Sequence, residues 1–162
     1  MFLFRHKGTP MSKKGAVILL VLVFGAYVFL KFWGLRMPEV VIDIGGTLAR
    51  VEVATTPDQQ YRGLGGRDTL GDRDGMLFLF QESGTYGFVM RDMKFPIDII
   101  WFHERTIVDI APHIPTEEGV DESVLRRYYP RLPAELVLEV PAGWAEEHGL
   151  KIGDTMEIVR KL

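Results

Sequence analysis

The chain has 162 residues and no cysteine, which excludes disulfides, thiol nucleophiles and thiolate metal sites together. Its 22 acidic residues all lie at Glu39 or later, whereas six of its 19 basic residues precede that point, so the part from Glu39 onward holds 13 basic against 22 acidic side chains, a formal charge of −9. Nucleic acid and anionic membrane surfaces both require a basic face, so neither is an expected partner of that part.

The first element is an apolar run from Gly15 to Leu30, extended through Phe32 and Trp33 and interrupted only by Lys31. At ~1.5 Å per helical residue it approaches ~30 Å, enough for one bilayer crossing. Arg5, Lys7, Lys13 and Lys14 precede the run and only Lys31 and Arg36 follow it closely, an imbalance that keeps the N-terminus inside. A cleaved secretory peptide is the rival reading, but the exit, Phe32-Trp33-Gly34-Leu35-Arg36-Met37-Pro38, has no small-x-small site. The expected organisation is a cytoplasmic basic tail over residues 1–14, a transmembrane signal anchor over 15–35 and an extracytoplasmic, periplasmic domain over 36–162, held at the inner membrane.

Val40 to Ile44 and Thr47 to Ala54 read as strands joined by Gly45-Gly46, a pair that accepts positive φ at both central positions of a hairpin turn. The same letters, Asp43-Ile44-Gly45-Gly46-Thr47, resemble the phosphate loop of sugar kinases. Such a kinase needs two lobes and about twice this length, and a short glycine motif without its context is a weak signal. A hairpin is expected, with no nucleotide. Thr56-Pro57-Asp58-Gln59 carries an N-cap, a first-turn proline and a capping-box glutamine, predicting a short helix that ends near Gly63.

Met76 to Phe80 has strand length and apolar character on both faces. Phe88-Val89-Met90 is expected as another strand, and Ile97 to Phe102 turns at His103-Glu104-Arg105 into Thr106 to Ile110. Residues 112–133 lack a clean period and form the longest loop. Glu135 to Val140 alternates as a strand, Ala142 to His148 is a short helix stopped by Gly149, and Thr155 to Arg160 is a final strand. The expected fold is α+β and β-rich: a compact curled sheet or small barrel of seven to eight short strands with two short helices, preceded by one transmembrane helix.

An ordered set of stretches follows: Val51-Glu52-Val53-Ala54; Arg62-Gly63-Leu64 with Arg67; Gly75 to Phe80; Phe88 to Met93; Pro96-Ile97-Asp98-Ile99; and Leu138-Glu139-Val140 with Ala142-Gly143-Trp144. In this order they resemble the bacterial and archaeal domain of unknown function 192 family, also called uncharacterised protein family 0127. The resemblance implies a compact β-rich domain, commonly exported or membrane-anchored, with no established reaction. Two stretches depart from the pattern. Relatives usually read R-G-L-M-x-R where this chain has Arg62-Gly63-Leu64-Gly65-Gly66-Arg67, and W-M-K-N-T where it has Val89-Met90-Arg91-Asp92-Met93.

Asp98, between Ile97 and Ile99, must be buried or line a pocket, and a buried carboxylate needs a partner. Arg62 and Arg67 are the candidates, either in one structural pair that pins the short helix to the sheet or around a ligand. Asp92 reads equally as a turn residue or a pocket residue. Glu139 can cap the helix that follows it. Two of Asp92, Asp98 and Glu139 would make the carboxylate pair of a polysaccharide hydrolase. A metal site from His103, Asp109 and His113 lacks supporting spacing, so no metal and no cofactor are expected. The functional expectation is a binding or accessory module with a cleft bounded by Arg62, Arg67, Met90, Asp92, Asp98, Glu139 and Trp144, taking an envelope carbohydrate or a peptide of a protein partner. The alternatives are a carboxylate-dependent hydrolase and a structural interaction protein with no pocket.

Overall fold

The computed structural model describes residues 12–34 and 37–162, with side chains over 12–27 and 37–162. The chain forms two units, divided after Arg36. In the first, α1 runs from Lys13 to Gly34, as the apolar run predicts for a helix. Among the described residues no helix is long and apolar enough to cross a membrane. The expected basic tail falls largely on residues 1–11, and the interfacial side chains Lys31, Phe32 and Trp33 also lie outside the described residues.

The second unit is one curled seven-stranded sheet, in the spatial order β5-β4-β6-β3-β2-β1-β7. Its strands are β1 (Glu39–Ile44), β2 (Thr47–Ala54), β3 (Gly75–Gly84), β4 (Ile97–His103), β5 (Thr106–Ile114), β6 (Ala134–Pro141) and β7 (Met156–Lys161). The β1–β2 hairpin turns on Gly45 and Gly46, with φ of 57° and 92°, and the Asp43 carboxylate accepts the Gly46 N–H at 2.8 Å. The kinase-like letters therefore form a tight turn. The two edges of the sheet approach each other where Thr106 bridges Thr155, supported by Ile107 N–H donating to the Asp154 carbonyl and Met156 N–H to the Arg105 carbonyl, both at 2.8 Å.

Only β2 and β3 pair in parallel, and parallel neighbours require a crossover rather than a tight turn. Helix α2 (Pro57–Arg62) and the loop behind it supply that crossover. Thr56 caps α2 and Gln59 closes the box, as its letters predict. Gly75 opens β3 because a Cβ there would lie 2.1 Å from the Glu139 carbonyl.

Apolar side chains divide between the two faces. Val40, Ile42, Ile44, Val51, Leu77, Ile100, Phe102, Leu138 and Val140 fill the concave side, closed by Trp144 and Ala145 of α3 (Trp144–Glu147). Met76, Phe78, Ile97, Ile99, Trp101 and Val137 form a second cluster on the outer side, covered by Leu64, Leu70, Phe88, Met90 and Met93. β3, β4 and β6 are consequently buried on both faces along much of their length. The strand expected at Phe88 to Met90 is reduced to a single bridge between Phe88 and Tyr128, because those side chains serve to cover the outer cluster.

Candidate functional site

Alternation along paired strands sends Asp98 and Glu139 to opposite faces of the sheet. Asp98 shares the inner face with Ile100 and Phe102, and Glu139 shares the outer face with Val137. Asp98 is fully buried. Its Oδ1 accepts the N–H groups of His113 at 2.8 Å and Gly143 at 3.0 Å, and its Oδ2 accepts that of Ala145 at 3.0 Å. This corrects two expectations. Asp98 is held by backbone rather than by Arg62 or Arg67, and it is Asp98, not Glu139, that caps the start of α3.

Arg67 instead reaches Glu52, with Nη1 2.6 Å from Oε2, although the contact lacks the alignment of a hydrogen bond. Glu52 is also 3.3 Å from Arg73 Nε. Glu52 pairs with Met76 across β2–β3, and Met76 pairs with Glu139 across β3–β6. Two buried glutamates thus flank one methionine in a single cross-strand row. Arg67, committed to Glu52, leaves Glu139 short of charge. Burial pushes the Glu139 carboxyl up to about 8 against the weaker opposing pull of Arg67, so it is protonated at neutral pH. Among the described residues its Oε2 has no hydrogen-bond partner.

Glu139 lies in the lining of a cleft of about 230 Å³ between the crossover and the outer face of the sheet. Phe78, Phe80, Tyr86 and Phe88 are among its lining residues, together with three arginines, Arg62, Arg91 and Arg127. Phe80 and Tyr86 stack with ring centroids 3.8 Å apart. Arg91 is fixed: it lies 3.8 Å over the Tyr61 ring, donates to the Tyr61 carbonyl at 2.6 Å and pairs with Glu122. Its Nε is buried without a partner. Gly63 stands beside the carboxyl; a Cβ there would lie 3.8 Å from Glu139 Oε2 and 3.4 Å from the Phe78 ring.

Of the expected site residues, Arg62 and Glu139 line this cleft. Asp92 is exposed in an adjoining shallow depression that also includes Arg62 and Arg91. Met90 is buried in the outer cluster, and Trp144 is buried on the inner side, stacked 4.2 Å from His148. His103, Asp109 and His113 are engaged separately, with Glu135, Arg131 and Glu146 respectively. Glu52, Arg91 and Arg127 were not expected at or beside the site. An acid between two β-branched apolar residues, the signal that marked Asp98, was equally present at Glu52.

The model of the family described as Uncharacterized ACR, DUF192, matches residues 40–158. The chain belongs to the DUF192 family. Two solved structures resemble this DUF192 chain. A candidate transcription regulator from Sinorhizobium meliloti 1021 has 27% identity and a TM-score of 0.63, over 75% of this chain and 92% of that one. A protein of unknown function from Novosphingobium aromaticivorans DSM 12444 has 31% identity and a TM-score of 0.66, over 74% of this chain and 84% of that one. No curated protein matches the chain. One DUF192 departure has a structural counterpart. Gly65 stands where relatives usually carry Met, and a Cβ there would lie 2.7 Å from the Arg91 carbonyl, because the 91–92 loop closes onto it and Gly66 N–H donates to the Asp92 carbonyl at 2.8 Å.

Proposed function

We propose that this chain is a membrane-anchored extracytoplasmic binding or accessory module whose ligand, an envelope carbohydrate or peptide, enters the cleft over Glu139. One observation carries the reading: a buried carboxyl without a hydrogen-bond partner lines an aromatic cleft. A group of that kind costs stability where it stands, and ligand sites are where such costs are retained. The anchor is supported by the apolar run from Gly15 to Leu30 and the basic residues that precede it, and by Val17 to Phe24, each 51% to 71% exposed. A DNA-regulating role, named for the Sinorhizobium relative, is disfavoured by the charge of −9 beyond Glu39.

The hydrolase alternative needs two carboxyl groups in one open cleft. Glu139 is the one acidic residue in the lining of this cleft, and Asp98 faces the other side of the sheet. The protonated state of Glu139 suits a general acid, but the partner base is missing from the lining, so binding is the better reading.

Replacement of the carboxyl separates function from fold. Glu139→Met conserves volume and removes the orphaned polar group, so it raises the melting temperature of the full-length protein. It also abolishes any thermal shift given to the native protein by wall oligosaccharides or envelope peptides. A Glu139→Met protein that melts lower than native would make the carboxyl structural and sink the reading.

A further inference from the structure

We infer that the cleft over Glu139 takes one carboxylated sugar residue, its acid group held by Arg62 and Arg127 and a ring hydroxyl meeting the Glu139 carboxyl; this rests on the binding reading and adds the ligand class.

Charge selects an anion. In a domain of formal charge −9, three arginines, Arg62, Arg91 and Arg127, line this cleft. Glu122 offsets Arg91 directly and also lies near Arg127. Among the described residues neither Arg62 nor Arg127 has an ion-pair partner of its own, in contrast to Arg67 and Arg91. Guanidinium pairs with a carboxylate through two parallel hydrogen bonds.

Size selects a single unit. About 230 Å³ is below the ~300 to 1,000 Å³ of pockets that enclose drug-sized ligands, so one ring enters and a longer chain stays outside. The lining includes the aromatic residues Phe78, Phe80, Tyr86 and Phe88, an apolar surround suited to the flat apolar side of a sugar ring.

The lining carboxyl then discriminates among acids. A protonated carboxyl both donates and accepts a hydrogen bond, and Glu139 Oε2 does neither among the described residues. A hydroxyl satisfies it. An aromatic carboxylate would meet the arginines and the walls but leave this group orphaned, whereas inorganic phosphate would meet the arginines alone. A neutral sugar would meet the walls and Glu139 but leave the arginines unpaired. A sugar acid meets all three.

The test is calorimetric titration of the full-length protein at pH 7 with D-glucuronate, D-galacturonate, D-glucose, benzoate and inorganic phosphate. At least one uronate binds about tenfold more tightly than glucose, benzoate or phosphate. Arg62→Gln and Arg127→Gln each weaken the uronate about fivefold or more while leaving glucose unaffected. Equal binding of glucose and the uronates, or phosphate matching them, overturns the assignment. If the uronates fail while a neutral wall oligosaccharide or a peptide binds in a Glu139-dependent way, the sugar-acid inference falls and the binding reading stands. If no probe of any kind binds, both fall.

Discussion

Asp98 and Glu139 are acids on paired strands, each set among apolar neighbours, and their surroundings give them opposite energetics. Three backbone N–H groups converge on Asp98, so its carboxylate ties β4 to the end of β5 and to α3. Asp98→Ala leaves all three donors without their acceptor, the Ala145 N–H buried and the other two partly buried, and costs on the order of 3 kcal/mol, read as a lower denaturant midpoint. Asp98→Asn keeps one acceptor and loses less. An Asp98→Ala midpoint equal to native would show that these donors do not need the carboxylate. Glu139 has no such reception, and burial raises its pKa from 4.5 to about 8. The folded state therefore holds a proton that the unfolded state releases between these values. Stability falls as pH rises through that window, by up to ~1.4 kcal/mol per pH unit, and the penalty is absent below it and complete above it. Glu39, hydrogen-bonded by Arg73, and Asp109, where burial is outweighed by the hydrogen bonds from Arg131 and Ile110 together, have lowered pKa values; their contribution is lost as pH falls below the ordinary carboxylate range, outside the Glu139 window. Denaturation midpoints at pH 5, 7 and 9 should decline for the native protein and flatten for Glu139→Gln. Parallel profiles for the two would remove the case for a raised Glu139.

At the scale of elements, α2 carries its instructions in its own letters. Thr56 accepts from Gln59 N–H, and the Gln59 side chain accepts from Thr56 N–H. Thr56→Ala should cost about 1 kcal/mol and raise amide exchange across residues 58–62, where α2 forms one lip of the cleft; unchanged exchange there would show that the crossover is held from elsewhere. The Gly45-Gly46 hairpin, the turn at His103 to Arg105 and the alternation of β6 were legible for the same reason, since each depends on residues within a few positions. Phe88 to Met90 was misread as a strand because an apolar triplet looks alike whether it pairs or covers. The cleft was only half legible. Arg62, Arg91, Arg127 and Glu139 come from four separate segments, and what gathers them is the parallel pairing of β2 and β3, which carries α2 over the outer face. No local spacing encodes that arrangement. Arg67 found Glu52 rather than Asp98 for a related reason: the choice depends on which face each acid takes, and period-two alternation leaves the absolute face open until strand neighbours are known.

For the whole molecule, the distribution of charge bears on where the domain works. The segment before Glu39 contains six basic residues and no acid, and the part from Glu39 onward carries a formal charge of −9. Basic flanks are retained inside and do not cross readily, so the proposed anchor and the proposed location of the domain are a single hypothesis with two consequences. An anchored chain stays with the membrane pellet after alkaline carbonate extraction. A pair of charges in the middle of the run, Leu20→Arg with Val21→Arg, should release it, because each arginine at a helix centre costs about 2.5 to 3.5 kcal/mol on insertion scales. The second consequence concerns topology. A periplasm-dependent reporter fused after Leu162 should be active, and a cytosol-dependent one silent. Reversing the flanking charge, by Lys13→Glu and Lys14→Glu with added lysines after Arg36, should lower the first signal and raise the second. Native protein recovered in the soluble fraction, or activity of the cytosolic reporter alone, would defeat the anchor. The cleft over Glu139 would then require a ligand drawn from the cytosol, and the argument from ring size, guanidinium charge and orphaned carboxyl would apply there unaltered.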